Sequence, residues 1–184
     1  MRQIARRGLP RLALTTTLAF ALAACGIGAN NSPASFPAPV VGPSAAVTGS
    51  TDQTRGVIAS ALSSVATQFG DATRPYRPAE SGRLRAAPRA VYQVVLPDQP
   101  DAGFIVVYEF ADSAAAVDAG NEEAGYLGTG PARVQFPLGM QHVLRALGPT
   151  LILYSWLPAA SSDSTPGAVA AALATIGIGF TVPN

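Results

Sequence analysis

The chain has few of the residues on which catalytic and metal-binding chemistry most often depends. Among its 184 residues there is one cysteine, Cys25, and one histidine, His142. A lone cysteine excludes an intrachain disulfide, and a lone histidine excludes zinc sites that use several histidines. Lysine is absent, so all 12 basic residues are arginines. We therefore predict no cofactor or metal site, and the pattern singles out no catalytic residue.

What the chain does have, at its beginning, is the layout of an export signal. A group of arginines precedes an apolar run over residues 12–23, which leads into Leu22-Ala23-Ala24-Cys25. Small residues before a cysteine are typical of a lipobox, and the stretch resembles the signal of bacterial lipoproteins. The run of about twelve residues is too short to span a hydrocarbon layer of about 30 Å as a helix. The arginines are Arg2, Arg6, Arg7 and Arg11.

The resemblance implies a lipid anchor at Cys25. Members of the lipoprotein family receive diacylglycerol on the cysteine thiol, lose the preceding peptide, and carry acyl chains such as palmitate. The expectation is that residues 1–24 are removed and that the protein sits on the extracytoplasmic face of the cell membrane or outer membrane. Two alternatives stay open: a plain secretory signal with a free Cys25, and twin-arginine export through Arg6-Arg7.

The mature chain divides into a tether and one domain. Residues 25–50 are rich in proline, serine and alanine without charge, which indicates a disordered tether. Residues 51–184 have the length and apolar content of a single globular domain. Without the signal, eight arginines face 11 acidic residues, a formal charge of −3. This mild acidity argues against nonspecific nucleic-acid binding, which needs several cations to neutralise phosphates.

Periodicity and turn residues predict an α+β domain. The expected order is helix, hairpin, helix, hairpin, helix, with helices packed on a mainly antiparallel sheet. Gly148-Pro149 would be the turn of the second hairpin, and Gly177 would close the last helix. The predicted helices cover residues 51–69, 112–127 and 165–176, and residues 71–87 form a loop. The predicted strands cover residues 90–96, 103–110, 133–136, 141–147, 150–157 and 178–182.

Catalytic constellations are missing from the predicted domain. No serine lies in a Gly-x-Ser-x-Gly sequence, and the glycines of residues 125–130 lack the lysine of a phosphate loop. Glu122 and Glu123 are neighbours on a predicted helix, where adjacent side chains point in different directions, so they do not form a pair of catalytic carboxylates. We expect both to face solvent. An enzyme reading would depend on His142 with an unidentified carboxylate.

Two groups of residues are candidates for ligand contact. A two-residue turn at Gly148-Pro149 would place Arg145, Tyr154 and Trp156 on one sheet face, where an arginine among aromatics can hold an anion or a planar ligand. His142 would lie on the opposite face. The alternative is that the Arg145 stem covers apolar surface while its guanidinium pairs with a carboxylate.

The second group is an arginine-rich loop that could contact anionic lipid headgroups or an envelope polymer. Only Glu80 offsets its charge within the stretch, and local pairing is the alternative reading. The arginines are Arg74, Arg77, Arg83, Arg85 and Arg89.

These observations favour a non-enzymatic, lipid-anchored envelope protein. Its partners would be the membrane, through the lipid on Cys25, and an envelope protein or small ligand. The alternatives are an accessory hydrolase or transferase using His142, and a structural or self-associating spacer domain.

Overall fold

The computed structural model describes residues 48–183, so the predicted signal and almost all of the predicted tether lie outside the described residues. The helices in this part of the chain are α1 (Gly49–Leu62), α2 (Gly82–Ala86), α3 (Ser113–Leu127), α4 (Gly130–Arg133) and α5 (Thr165–Leu173). The strands are β1 (Phe69–Asp71), β2 (Arg89–Val94), β3 (Phe104–Glu109), β4 (Gln141–Leu147), β5 (Thr150–Trp156) and β6 (Ile178–Gly179).

The strands form one antiparallel sheet in the order β1-β2-β3-β5-β4-β6. This confirms the predicted α+β class with an antiparallel sheet. At the centre, every residue from Phe104 to Tyr108 and from Thr150 to Tyr154 is buried. Both faces of these strands are apolar because helices cover the sheet on both sides.

Two hydrophobic cores result, one on each face of the sheet. The first lies under α1 and α5, and the second lies under α3 with the short helices α2 and α4. The first core includes Ile58, Leu62, Ile105, Ile152, Tyr154, Val169 and Leu173. The second includes Leu84, Val106, Ala119, Leu127, Leu144, Leu151 and Leu153.

The second hairpin has the predicted register. Gly148 adopts a φ of 55°, a left-handed conformation that glycine tolerates in a tight turn. The predicted cross-strand pairs are present: Val143 with Tyr154, Arg145 with Ile152, and Leu147 with Thr150. Residues 141, 143 and 145 therefore share one face with residues 152, 154 and 156, as alternation requires.

The predicted start of α3 is also confirmed. Asp112 Oδ1 accepts a hydrogen bond of 2.8 Å from the backbone N–H of Ala115, which satisfies one of the free donors of the first turn. The helix ends at Leu127, before Gly128.

The first predicted helix is wrong at both ends. Thr48 caps α1, accepting from the Thr51 N–H at 3.3 Å, so the helix begins within the segment assigned to the tether. It ends at Leu62, and Phe69 instead begins the edge strand β1. Phe69 pairs with Val94 and its ring packs against Tyr92 at 5.6 Å. Pairing with a distant strand thus overrides the local helical spacing.

Other elements also differ from the prediction. Residues 133–136 form no strand, because α4 and the turn after it occupy this position, with Pro131 in the first helical turn. The predicted loop 71–87 contains α2, and β1 ends at Asp71. The last helix stops at Leu173, and the last strand is shortened to β6, which pairs with β4 through Arg145 and Gly179.

Candidate functional site

A cavity of about 360 Å³ lies on the α3 side of the sheet, at the start of β4. Its walls come from the end of α3, the segment 133–142 and Val182-Pro183. The apolar part of the lining consists of Leu127, Phe136, Pro137, Leu138, Met140, Val182 and Pro183. The volume and the apolar walls are those of a small-molecule site, for which 300–1,000 Å³ is usual.

Local sequence explains how the segment 133–142 forms its wall. The buried Ala132 anchors α4 to the second core and places Arg133 at the cavity edge. Gly139 adopts a φ of 85°, and the Met140 N–H donates to the Pro137 carbonyl at 3.1 Å, which closes a tight turn. This turn holds Leu138 fully exposed, an uncommon position for a large apolar side chain.

His142 contributes the polar side of the cavity. The ring is half-buried, its Nδ1 lies 2.8 Å from Ser155 Oγ, and Phe136 packs edge-on at 4.9 Å. Burial lowers the pKa of His142, so the imidazole is neutral at neutral pH. Within residues 48–183, no carboxylate hydrogen-bonds to or forms an ion pair with the ring. The acid that orients a catalytic histidine is therefore missing from the described part of the chain.

The predicted ligand-contact residues do share one sheet face, but they do not act together, because each makes different contacts. They are Arg145, Tyr154 and Trp156. Tyr154 is fully buried, donates its hydroxyl to the Pro166 carbonyl at 3.3 Å, and stacks on Trp156 at 5.5 Å. Burial raises the pKa of Tyr154. Arg145 donates through Nε to the Ile176 carbonyl and through Nη2 to the Gly177 carbonyl at 2.7 Å. Its guanidinium is thus committed to the turn that follows α5.

The arginines of the arginine-rich loop are held mostly by neighbouring acids. Four of its arginines form ion pairs: Arg74 with Asp101 at 3.3 Å, Arg77 with Glu80 at 2.8 Å, Arg83 with Glu122 at 3.0 Å, and Arg89 with Glu80 at 2.9 Å. Arg85 donates to the Glu80 carbonyl at 3.1 Å. This geometry supports local pairing over an anion-binding surface.

A buried acidic cluster was missed by sequence reasoning. Glu80 is 3% exposed, and its carboxylate accepts from Tyr108 at 2.8 Å besides its two arginine partners. Glu123 is fully buried, so the prediction that it faces solvent is wrong, whereas Glu122 is exposed. Helical spacing could have predicted this burial, because position 123 follows 116, 119 and 120 at helical spacing and so falls on the small-residue face of the helix.

The Glu123 carboxylate is only half satisfied. Its Oε2 accepts from the Ser81 N–H at 2.8 Å, while Oε1 has no hydrogen-bond partner among the described residues. Burial raises the pKa of Glu123, and the nearby Glu80 and Glu122 add to the effect. The hydrogen bond from Ser81, at the start of α2, places this carboxylate where α2 packs on α3.

The fold and the cavity define an α+β domain with a mostly apolar pocket that has polar groups at one side. Comparisons of the chain with protein-family models, curated proteins and solved structures found no match. Within residues 48–183, no helix combines the length and apolar character needed to cross a membrane. The same residues bring together no group of three or more histidine, cysteine or acidic side chains suited to a metal ion.

Proposed function

We propose that the protein is a lipid-anchored, extracytoplasmic domain that binds a small, largely apolar ligand. The cavity beside His142 is the observation that carries the binding role, since it combines apolar walls with a few polar groups at one side. The lipobox sequence Leu22-Ala23-Ala24-Cys25 supports the anchor and a place at the cell membrane or outer membrane. Within residues 48–183 His142 hydrogen-bonds to Ser155 and has no carboxylate partner, which favours binding over the enzyme alternative.

We also propose that the domain is organised as helix, hairpin, helix, hairpin, helix. The order α1, β2-β3, α3, β4-β5, α5 supports this plan. On this view the short elements β1, α2, α4 and β6 are additions at the sheet edges and over the second core.

An uncharged fluorescent naphthylamine probe tests the binding role. The full chain should bind N-phenyl-1-naphthylamine with enhanced emission, because the cavity shields the probe from water. Met140→Trp places an indole in the cavity and should weaken binding about tenfold. The matched control is Val95→Trp, which introduces the same residue at a half-exposed apolar position outside the lining and should leave affinity unchanged. Equal binding by both variants would place the probe elsewhere and remove the proposal's main support.

A further inference from the structure

The charges around the cavity indicate what kind of ligand it accepts. Arg133 is the one ionised side chain in the lining, which includes no aspartate or glutamate. His142, the other titratable group there, is neutral for the reason given above. A ligand with a cationic group would therefore meet a positive charge with no acidic side chain beside it in the lining, whereas an anionic group would be attracted.

Arg133 is weakly partnered in the described part of the chain. Its Nη2 makes one long contact, 3.5 Å, with the Pro183 carbonyl, and it forms no ion pair within residues 48–183. By contrast, Arg145 holds two backbone carbonyls, and Arg55 lies 3.8 Å from Asp71. The guanidinium of Arg133 thus keeps most of its five donors for another group.

The position of Arg133 fixes the orientation of a ligand. Arg133 is exposed and lies at the cavity edge, whereas Leu127 is 3% exposed and lies at the end of α3. An anionic head would remain partly hydrated beside Arg133, which avoids the cost of burying a charge. The apolar remainder would lie inward against Leu127, Phe136 and Val182.

Volume limits the length of this apolar remainder. A methylene group occupies about the volume of a water molecule, roughly 30 Å³. A cavity of about 360 Å³ is therefore filled by a chain of about ten carbons. The exposed Leu138 beside the opening extends the apolar surface past the cavity itself.

We propose that the cavity binds a single-chain amphiphile of about ten carbons with an anionic head, the head paired with Arg133 and the chain enclosed by the apolar walls. This inference rests on the proposed binding function and names its ligand class. A free carboxylate and a phosphate monoester share the required chemistry, and the experiment separates them.

Calorimetric titration of the full chain with four ten-carbon probes tests the inference. Decanoate or decyl phosphate should bind at least tenfold more tightly than decanol, and decyltrimethylammonium should bind most weakly. The tighter of the two anions identifies the head group. Shortening the preferred anion by one methylene should weaken binding about threefold to fourfold.

Arg133→Gln should abolish the advantage of the anions while leaving decanol affinity unchanged, which shows that the cavity stays intact. The matched control is Arg83→Gln, an exposed arginine outside the lining, which should preserve the preference. Equal binding of charged and uncharged probes, or an unchanged preference in Arg133→Gln, would overturn the anionic head. Absence of binding by all four probes would overturn the ligand class. If the naphthylamine probe still binds in that case, only the ligand class is wrong. If it does not bind either, the proposed binding function fails as well.

Discussion

The burial of Glu123 follows from its position on α3, although glutamate is usually a surface residue. It lies on α3 at the face that meets α2, where Ser81 donates a backbone hydrogen bond to it. An ionised carboxylate there is poorly compensated, because one oxygen has no partner in the described part of the chain. Protonation relieves this cost, and the raised pKa of Glu123 follows.

This carboxyl should make stability depend on pH. Its pKa is raised in the folded state above the ordinary value of 4.5, so the folded state binds more protons than the unfolded state above that pH. The free energy of unfolding should therefore fall as the pH rises from about 4.5 through the folded-state pKa. Glu123→Gln removes the titration and should be increasingly stabilising over the same range, as measured by urea unfolding at pH 4.5 to 8.

The control for this experiment is Glu122→Gln, the exposed neighbour that pairs with Arg83. It should change stability by no more than about 0.5 kcal/mol. If Glu123→Gln shows the same pH dependence as the wild-type protein, Glu123 is not the group that titrates.

At the scale of elements, α3 depends on small side chains to approach its neighbours. Gly120 faces the ring of Phe180, and a Cβ at this position would collide with the ring. Phe180 follows β6, and its N–H donates to the Leu144 carbonyl at 3.1 Å, so the ring is held by the sheet edge. The glycine is thus needed for contact between α3 and the C-terminal segment.

Gly120→Ala should destabilise the protein by about 1–3 kcal/mol, because the added methyl group overpacks this contact. Gly125→Ala is the matched control on the same helix, since a Cβ there meets nothing within 4 Å. It should stabilise by up to about 1 kcal/mol through the better helix propensity of alanine. Denaturant unfolding of the two variants measures the difference, and equal effects would contradict the packing role of Gly120.

The elements also show where prediction from sequence works. Both hairpins and α3 were predicted closely because turn residues, strand alternation and the Asp112 cap are local properties. The strand predicted at 133–136 was wrong because α4 is fixed by the burial of Ala132 in the second core. Strands of two or three residues, such as β6 and β1, form only where a partner strand is already in place.

At the scale of the whole molecule, one sheet separates two cores, and its central strands contribute to both. Ile152 points into the first core and Leu153 into the second. The cavity lies at the edge of the second core, where α3, α4 and the C-terminal segment leave the start of β4 incompletely covered. The proposed binding site thus results from the way these elements end at the edge of the sheet, and no sequence motif marks it.

The proposed anchor is a property of the whole chain, since it fixes the domain to a surface. In a bacterial host, the wild-type protein should incorporate labelled palmitate, and Cys25→Ala should not, because thioether attachment requires the thiol. Gly26→Ala, a change at the next residue, should retain the label. Gel fluorography of the purified proteins measures both. An unlabelled wild-type protein, or a labelled Cys25→Ala protein, would contradict lipidation at this residue.

The sequence by itself determined the α+β class, the two hairpins with the register of the second, and the start of α3, since these follow from local alternation and capping. It also singled out His142 as a residue with two alternative roles. Only the tertiary structure decided that Glu123 is buried, that Arg145 holds the turn after α5, and that His142 and Arg133 border one cavity. These outcomes depend on which distant segments meet. Helical spacing places Glu123 on the small-residue face of α3, but only the packing of α2 against that face buries it.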